Sequence, residues 1–336
     1  MRSAAVSSVP APTAIAGLAH ESPGLALPDA ERRAITAGLL AEPARIDPKY
    51  FYDNHGSALF EAITRQPEYY PTRVEAALLR TAGAEIAAEL AGTIGPIETL
   101  IEPGAGNCTK AAALCALLRP RRFVALDIAG AFLDAAVRAL ARRFPDLESH
   151  AIGADLTHTL HLPESLPRQR RLVFYPGSSI GNFDPSAAGV LLARMRALLD
   201  DDGALLVGID LVKDEDILHA AYNDAAGVTA AFNRNVLAHL NRLIGSDFNP
   251  DAWHHRAFFN RAASRIEMHL EARCDQRVGW PGGRRRFARG ERIHTENSYK
   301  YRVDDFVALL AGAGFAHSRV FTDATGWYAL VVARPR

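Results

Sequence analysis

Two hydrophobic periodicities divide the chain. Between residues 74 and 212, short apolar runs alternate with longer stretches whose apolar positions repeat every three or four residues. The runs fall at 97–102, 122–127, 171–175 and 204–212, with a weaker one at His150-Ala-Ile-Gly-Ala-Asp155. The intervening stretches, such as 129–143 and 186–199, predict helices. Asp184-Pro185 supplies an N-cap and a first-turn proline for the second of these, and Gly203 follows its end. A helix over 74–90 precedes the first run. After residue 300 a helical pattern over 303–313 leads into two runs, 315–322 and 327–333, that read as a hairpin closing the sheet. Short strands alternating with helices predict an α/β fold with a doubly wound parallel sheet.

The alternation breaks after Leu211-Val-Lys-Asp214. Val228, Phe232, Val236, Leu240 and Leu243 mark one face of a helix, and 265–273 alternates apolar with charged residues, as a strand with one wetted face does. Upstream, 25–40 reads as a helix with Pro28 and Asp29 as its start signal. Residues 1–20 are small, proline-interrupted and without a signal-peptide core, so a disordered leader is expected there. The expected division is therefore 74–212 plus 301–336 as one domain, with 21–73 plus 213–300 as a second, inserted α+β domain forming a lid.

The chemistry centres on Thr99-Leu-Ile-Glu-Pro-Gly-Ala-Gly-Asn-Cys-Thr-Lys110, which reads as strand, glycine turn and helix. Gly104 and Gly106 let the backbone approach a ligand, and the following helix offers unpaired N–H groups. Asp127 ends the next run, about 20 residues on, where an acid can take ribose hydroxyls. Thr109 stands where a dinucleotide fingerprint has its third glycine, which disfavours NAD and FAD. S-adenosylmethionine, with no pyrophosphate to cradle, suits the looser loop. Gly104, Asp127, Asp155 and the loop after Tyr175 all fall at the carboxyl edge of the predicted sheet, where such folds bind ligands.

Composition narrows the partners. The 336 residues carry zero formal net charge, so no global field draws in nucleic acid or an acidic membrane. Arg284, Arg285, Arg286 and Arg289 form a basic cluster that reads as a solvated turn. Cys108, Cys115 and Cys274 make no disulfide framework, so a reducing, cytoplasmic setting is expected. No apolar run is long enough for a membrane span. His150, His158, His161 and His254-His255 show no metal-ligand spacing, and no metal is expected.

Three further stretches carry candidate groups. Gly177-Ser-Ser-Ile-Gly181 matches a hydrolase nucleophile elbow with Ser179 as nucleophile, although the helix start at Asp184-Pro185 comes five residues late. The alternative puts Asn182 at the sheet edge, where its amide can accept from an amine and donate to a carboxylate. Glu296 and Ser298 are two apart, so on an extended segment they face the same way and could hold both nitrogens of an imidazole; an exposed edge strand is the other reading. Tyr52, Tyr69 and Tyr70 adjoin turn residues where a phenol can enter a cleft, while Tyr222 is as readily core as ligand.

The segments Phe51-Tyr-Asp53, Pro67-Glu-Tyr-Tyr-Pro-Thr-Arg73, Gly177-Ser-Ser-Ile-Gly-Asn182, Asp210-Leu-Val-Lys-Asp214, the run from Ala225 to Val236, and Thr295-Glu-Asn-Ser298 together resemble the histidine Nα-methyltransferases of ergothioneine biosynthesis. The resemblance covers the chain from about residue 25 to the end. It implies a Rossmann-like class I methyltransferase sheet, and three successive methyl transfers from S-adenosylmethionine to the α-amino group of L-histidine, giving hercynine. The expected partners are histidine and its mono- and dimethyl intermediates, with no nucleic acid or membrane, and a monomer is expected although the sequence does not fix the oligomeric state. By position the resemblance assigns the donor to Gly104, Gly106, Lys110, Asp127 and Asp155. The amine and carboxylate of the amino acid go to Tyr69, Asn182 and Tyr222, and the imidazole to Glu296 and Ser298, with Met268 lining that pocket. Tyr52 stands at the cleft, and Asn182 and Tyr52 are placed at the transfer itself. The donor loop departs from the family: Glu-Pro-Gly-Ala-Gly replaces Glu-Leu-Gly-Ser-Gly, and Asn-Cys-Thr precedes the lysine, which raises the question of oxidation at Cys108. A related enzyme for another amino acid such as tryptophan is the alternative, disfavoured by the presence of both Glu296 and Ser298.

Overall fold

The computed structural model describes residues 27–128, 130–156, 158 and 160–335. The expected leader lies outside them. The chain begins with α1 (Asp29–Leu40), β1 (Ala44–Arg45), α2 (Asn54–Ile63) and α3 (Tyr70–Thr93). Then come β2 (Thr99–Pro103), α4 (Thr109–Leu118), β3 (Arg122–Asp127), α5 (Gly130–Arg143), β4 (Glu148–Gly153), β5 (Arg171–Tyr175), α6 (Pro185–Ala197) and β6 (Ala204–Asp210). After α7 (Glu215–Tyr222) and α8 (Val228–Ile244) follow β7 (Trp253–Asn260), β8 (Arg265–Ala272), β9 (Gln276–Trp280), β10 (Gly283–Phe287) and β11 (Arg292–Tyr299). The chain closes with α9 (Val303–Gly312), β12 (Phe315–Thr322) and β13 (Tyr328–Pro335).

Seven strands form one sheet in the order β12-β13-β6-β5-β2-β3-β4. The strands from β6 to β4 are parallel, and β13 enters antiparallel between β6 and β12. Every residue of β2, β5 and β6 is buried, as strands covered by helices on both faces require. Chain order reverses between β2 and β5, which opens a crevice at the carboxyl ends of the strands. This is the expected Rossmann-like architecture, with the expected closing hairpin.

A second sheet, β1-β11-β8-β7, lies beside the first. α8 packs across it, burying Phe232, Val236, Leu240 and Ile244 against Trp253, Ile266, Leu270 and Ile293. Ile35, Leu39, Phe51, Ile63 and Tyr70 from the N-terminal segment belong to that same core, whereas the seven-stranded sheet has an apolar cluster on each of its faces. Among the described residues no helix is long and apolar enough to cross a membrane.

Three expectations shift. The helix expected from residue 74 begins at Tyr70, because Pro71 fits its first turn. The arginine cluster is solvated at Arg284, Arg286 and Arg289, but Arg284–Arg286 lie in β10, and the half-buried Arg285 donates to the carbonyls of Leu39 and Ala41 and pairs with Glu291, satisfying the end of α1. The segment from Thr295 is not an exposed edge: β1 pairs with β11 only at Ile293 and His294, but Glu296 and Ser298 are both buried.

Candidate functional site

A cavity opens between the carboxyl edge of the large sheet and the inner face of the small one. Tyr52, Tyr69, Asn182, Tyr222, Met268, Glu296 and Ser298, expected from the sequence to surround one ligand, all line it. Tyr52 is held between a short 3-10 turn (Pro48–Phe51) and the N-cap of α2, where Asp53 accepts from the Gly56 N–H at 2.6 Å. Gly56 is obligatory there, since a Cβ would come within 1.7 Å of the Phe51 carbonyl oxygen. Tyr222 ends α7, and Asp224 two residues on caps α8 by accepting from Val228 and Thr229 at 2.7 and 2.8 Å. The rings form a wall: Tyr69 lies 6.3 Å from Tyr222 and 6.4 Å from Phe60, and Phe60 lies 5.9 Å from Tyr52. Burial raises the phenols of Tyr52 and Tyr69 well above their ordinary value, with the neighbouring acids adding to the shift, so both stay neutral.

Glu296 faces the cavity because β11 carries a bulge. His294 pairs with His269, but Glu296 pairs with Met268, leaving Thr295 as an extra residue. Strict alternation would put Glu296 on the outer face with His294; the extra residue changes the parity, so Glu296, Ser298 and Lys300 turn inward. The Thr295 hydroxyl, buried, lies 2.8 Å from Asn233 Oδ1 and 3.0 Å from the Met268 carbonyl, which ties the bulge to α8 and β8. Burial pushes the Glu296 carboxyl up to about 8, with the nearby Lys300 ammonium opposing that shift.

Sequence reasoning missed the base of the cavity. Asp210, at the end of β6 and fully buried, accepts from Tyr70 Oη at 2.6 Å and pairs with Lys300 Nζ at 2.8 Å and with Lys213. Lys300 also donates to Ser298 Oγ at 2.8 Å and Tyr222 Oη at 3.2 Å. The Lys300 and Lys213 ammoniums hold the Asp210 carboxyl below its ordinary value against the opposing effect of burial. Burial brings Lys213 down to about 8 although Asp210 pulls it up. Two signals were available. Asp210 stands at the carboxyl end of an apolar run, and Lys300 continues the every-second-residue pattern of Glu296 and Ser298.

The expected donor residues lie at the adjoining edge, outside the cavity lining. Gly104 and Gly106 have φ of +68° and +52°, and the Gly106 N–H donates to Asp127 Oδ2 at 2.9 Å. Lys110 pairs with Glu75 at 2.6 Å, and Glu75 accepts from the Gly177 N–H at 2.7 Å, linking this edge to the cavity wall. Asp155 pairs with Lys49 at 3.0 Å, and Asn107 donates to Glu61 at 2.9 Å, so the N-terminal segment reaches across the edge. Glu102, at the end of β2, keeps a buried oxygen without a hydrogen-bond partner, and burial raises its carboxyl well above the ordinary range. An acid at the end of β3, two left-handed glycines and an orphaned carboxyl oxygen fit a nucleoside bearing an amine.

The remaining candidates go elsewhere. Ser179 Oγ donates to the Pro176 carbonyl at 3.1 Å, and the left-handed residues of the turn are Gly177 and Ser178, the latter accepting at Oγ from the Asp210 N–H. An elbow would strain the nucleophile itself. Cys108 is buried and its thiol is pushed up by burial, which works against thiolate formation and oxidation. Glu267, His269 and His294 bring ligand atoms within 4.8 Å of one another on the outer face of the small sheet, a cross-strand grouping invisible to residue spacing. Glu267 already accepts from Arg265 at 2.7 Å and Asn260 at 2.9 Å.

The family described as "Histidine-specific methyltransferase, SAM-dependent" matches residues 31–335. The chain belongs to that family. Its strand order, with an antiparallel hairpin ending a parallel sheet, is that of a class I S-adenosylmethionine-dependent methyltransferase. It is 44% identical over 311 residues to a histidine N-alpha-methyltransferase of Mycolicibacterium smegmatis, covering 91% of this chain and 95% of the relative. It is 41% identical over 308 residues to the protein of the same name from Mycobacterium tuberculosis, covering 90% and 94%. A more distant relative, 26% identical over 88% of this chain and 34% of its own length, is ergothioneine biosynthesis protein 1 of Neurospora crassa.

Proposed function

We propose that this methyltransferase transfers methyl groups from S-adenosylmethionine to the α-amino group of L-histidine, up to three times, giving hercynine for ergothioneine biosynthesis. The observation that carries the reading is the meeting of Glu296 and Ser298 with Asn182 and Tyr222 in one cavity, beside the glycine-loop edge. Glu296 and Ser298 take the two ring nitrogens, and Met268 packs on the ring. Tyr69, Asn182 and Tyr222 hold the amine and carboxylate. Gly104, Gly106, Lys110, Asp127 and Asp155 hold the donor, and Lys110 and Asp155 would exchange or share their present partners Glu75 and Lys49. An indole offers one N–H and no ring acceptor, so it would leave Ser298 without a partner.

S-adenosylmethionine supplies, when bound, a methyl on a sulfonium that carries its own leaving group. The chain's part is alignment and a free lone pair on the amine. An α-amino group has an ordinary pKa of about 8, so a proton leaves before each transfer. Asn182 and Tyr52 orient the lone pair, and the proton departs to water. The methylated ammonium sits against the faces of Tyr52, Tyr69 and Phe60, a favourable place for a cation. Residues 21–73 with 213–300 serve as the histidine-binding lid, and 74–212 with 301–336 as the donor-binding domain. The protein works as a monomer in the cytoplasm, and the mono- and dimethyl intermediates occupy the same cavity.

Mass spectrometry of histidine incubated with the protein and S-adenosylmethionine tests this. Gains of one, two and three methyls are expected; unmodified histidine beside methylated tryptophan would overturn the assignment.

A further inference from the structure

Lys300 is completely buried, and its ammonium has three protons for three acceptors: Asp210 Oδ2 at 2.8 Å, Ser298 Oγ at 2.8 Å and Tyr222 Oη at 3.2 Å. Tyr222 Oη lies 2.7 Å from Ser298 Oγ, and the phenol, the more acidic of the two hydroxyls, is the donor between them. A serine hydroxyl has two acceptor positions and one proton. Both acceptor positions of Ser298 are filled, by Lys300 and Tyr222, so its proton is left for whatever occupies the cavity. Ser298 can then only donate, and on the other side of the ring pocket Glu296 presents an oxygen that accepts whether or not the carboxyl carries its proton.

We infer that Lys300 is a positioning residue that fixes the direction of the Ser298 hydroxyl, so that the cavity takes its imidazole neutral and as a single tautomer. The inference rests on the histidine reading of the cavity. A neutral imidazole has one N–H and one bare nitrogen; the N–H meets Glu296 and the bare nitrogen meets Ser298. An imidazolium has two N–H groups, one of which would confront the Ser298 proton. The contrast is sharp because a buried carboxylate ordinarily favours the charged form of a neighbouring ring. A cavity that let Ser298 accept would hold imidazolium at pH about 7, close to the ordinary imidazole pKa of about 6.5.

The titratable groups around the pocket are Glu296 and Lys300 at the end of β11, Asp210 from β6, Tyr222 from α7, and Tyr52 and Tyr69 from the N-terminal segment. Burial keeps the three phenols neutral, and Lys300 and Asp210 are locked together. Glu296 is left as the protein group that exchanges a proton with the ring.

The test is ¹⁵N NMR of ring-labelled L-histidine bound to the full-length protein at pH about 7, with S-adenosylhomocysteine present so that no methyl moves. In the unsubstituted protein one ring nitrogen is expected to give the signal of an N–H and the other that of a bare nitrogen. In Lys300→Met both should give N–H signals, since Ser298 is free to accept. Tyr222→Phe leaves the Lys300–Asp210 pair in place, opens one acceptor position on Ser298, and should shift the ring the same way; it carries the test if Lys300→Met does not fold. Two N–H signals in the unsubstituted protein, or a bare nitrogen kept in the variants that fold, would overturn the inference while leaving histidine as substrate. Absence of histidine binding would instead overturn the function proposed above.

Discussion

Lys110 and Glu75 meet at 2.6 Å, and the carboxylate is the buried partner, 1% exposed against 31% for the lysine. The second Glu75 oxygen accepts from the Gly177 N–H and from Tyr328 Oη at 2.6 Å. One side chain on α3 thereby joins the helix behind the glycine loop, the loop after β5 and the closing strand β13. Glu75→Ala would leave the Gly177 N–H and the buried Tyr328 hydroxyl without their acceptor and the partly exposed Lys110 without its partner, at a cost of about 1–3 kcal/mol for a buried donor left unpaired. Urea unfolding should show that loss; an unchanged midpoint would mean that these groups find water instead.

Glu296→Ala should weaken histidine binding by about 1–3 kcal/mol, roughly tenfold for each 1.4 kcal/mol, because the ring N–H loses its acceptor in a buried site. Donor binding should stay as it was, since Glu296 lies outside the glycine-loop edge. Calorimetric titration with each ligand separates the two effects, and equal losses in both would refute the division.

Stability should depend on pH through Glu296. Its folded value, about 8, is above the ordinary 4.5, so the folded state binds the proton more tightly than the unfolded one. The stabilisation is fully present below about 4.5 and is lost as pH rises to about 8. Lys213, brought down to about 8 from 10.5, acts only above that window and in the opposite sense. Melting temperatures of the ligand-free protein should therefore fall less between pH 5 and 8 in Glu296→Gln than in the unsubstituted chain. Parallel curves would remove Glu296 as the source.

Two glycines should give opposite patterns when changed to alanine. A Cβ on Gly181 would lie 2.9 Å from the Tyr299 carbonyl oxygen and 3.2 Å from its nitrogen, forcing β11 away from Asn182. Gly181→Ala should lose methyl transfer at least tenfold, by the misplacement argument, with donor affinity kept. Gly106 has open space around its Cβ position but a φ of +52°, so Gly106→Ala strains the donor loop by about 1 kcal/mol and should weaken donor binding instead. Binding and turnover measured on both variants decide it.

The large sheet was legible because its central strands are short, have an apolar middle and are punctuated by glycine or acid, as in Thr99–Pro103 and Arg122–Asp127. The donor edge was legible for the same reason: local spacing fixes which residues end up beside Gly104. The two arms of the cavity were placed by resemblance, since nothing local links Tyr52 to Glu296 across more than two hundred residues. Each of Asp210 and Lys300 carries a local signal, but their pairing escaped because an ion pair between distant segments is set by the fold and not by spacing. The Glu267, His269 and His294 grouping escaped for a similar reason, as cross-strand register is set by pairing and not by spacing.

The irregularity at Thr295 makes ligand choice a matter of counting. Were the additional residue absorbed in the turn before Lys300 instead, Asn297 and Tyr299 would look into the cavity, presenting an amide and a phenol in place of a carboxylate and a hydroxyl. The same scaffold could then acquire a new substrate by sliding a kink along one strand, with no amino acid exchanged.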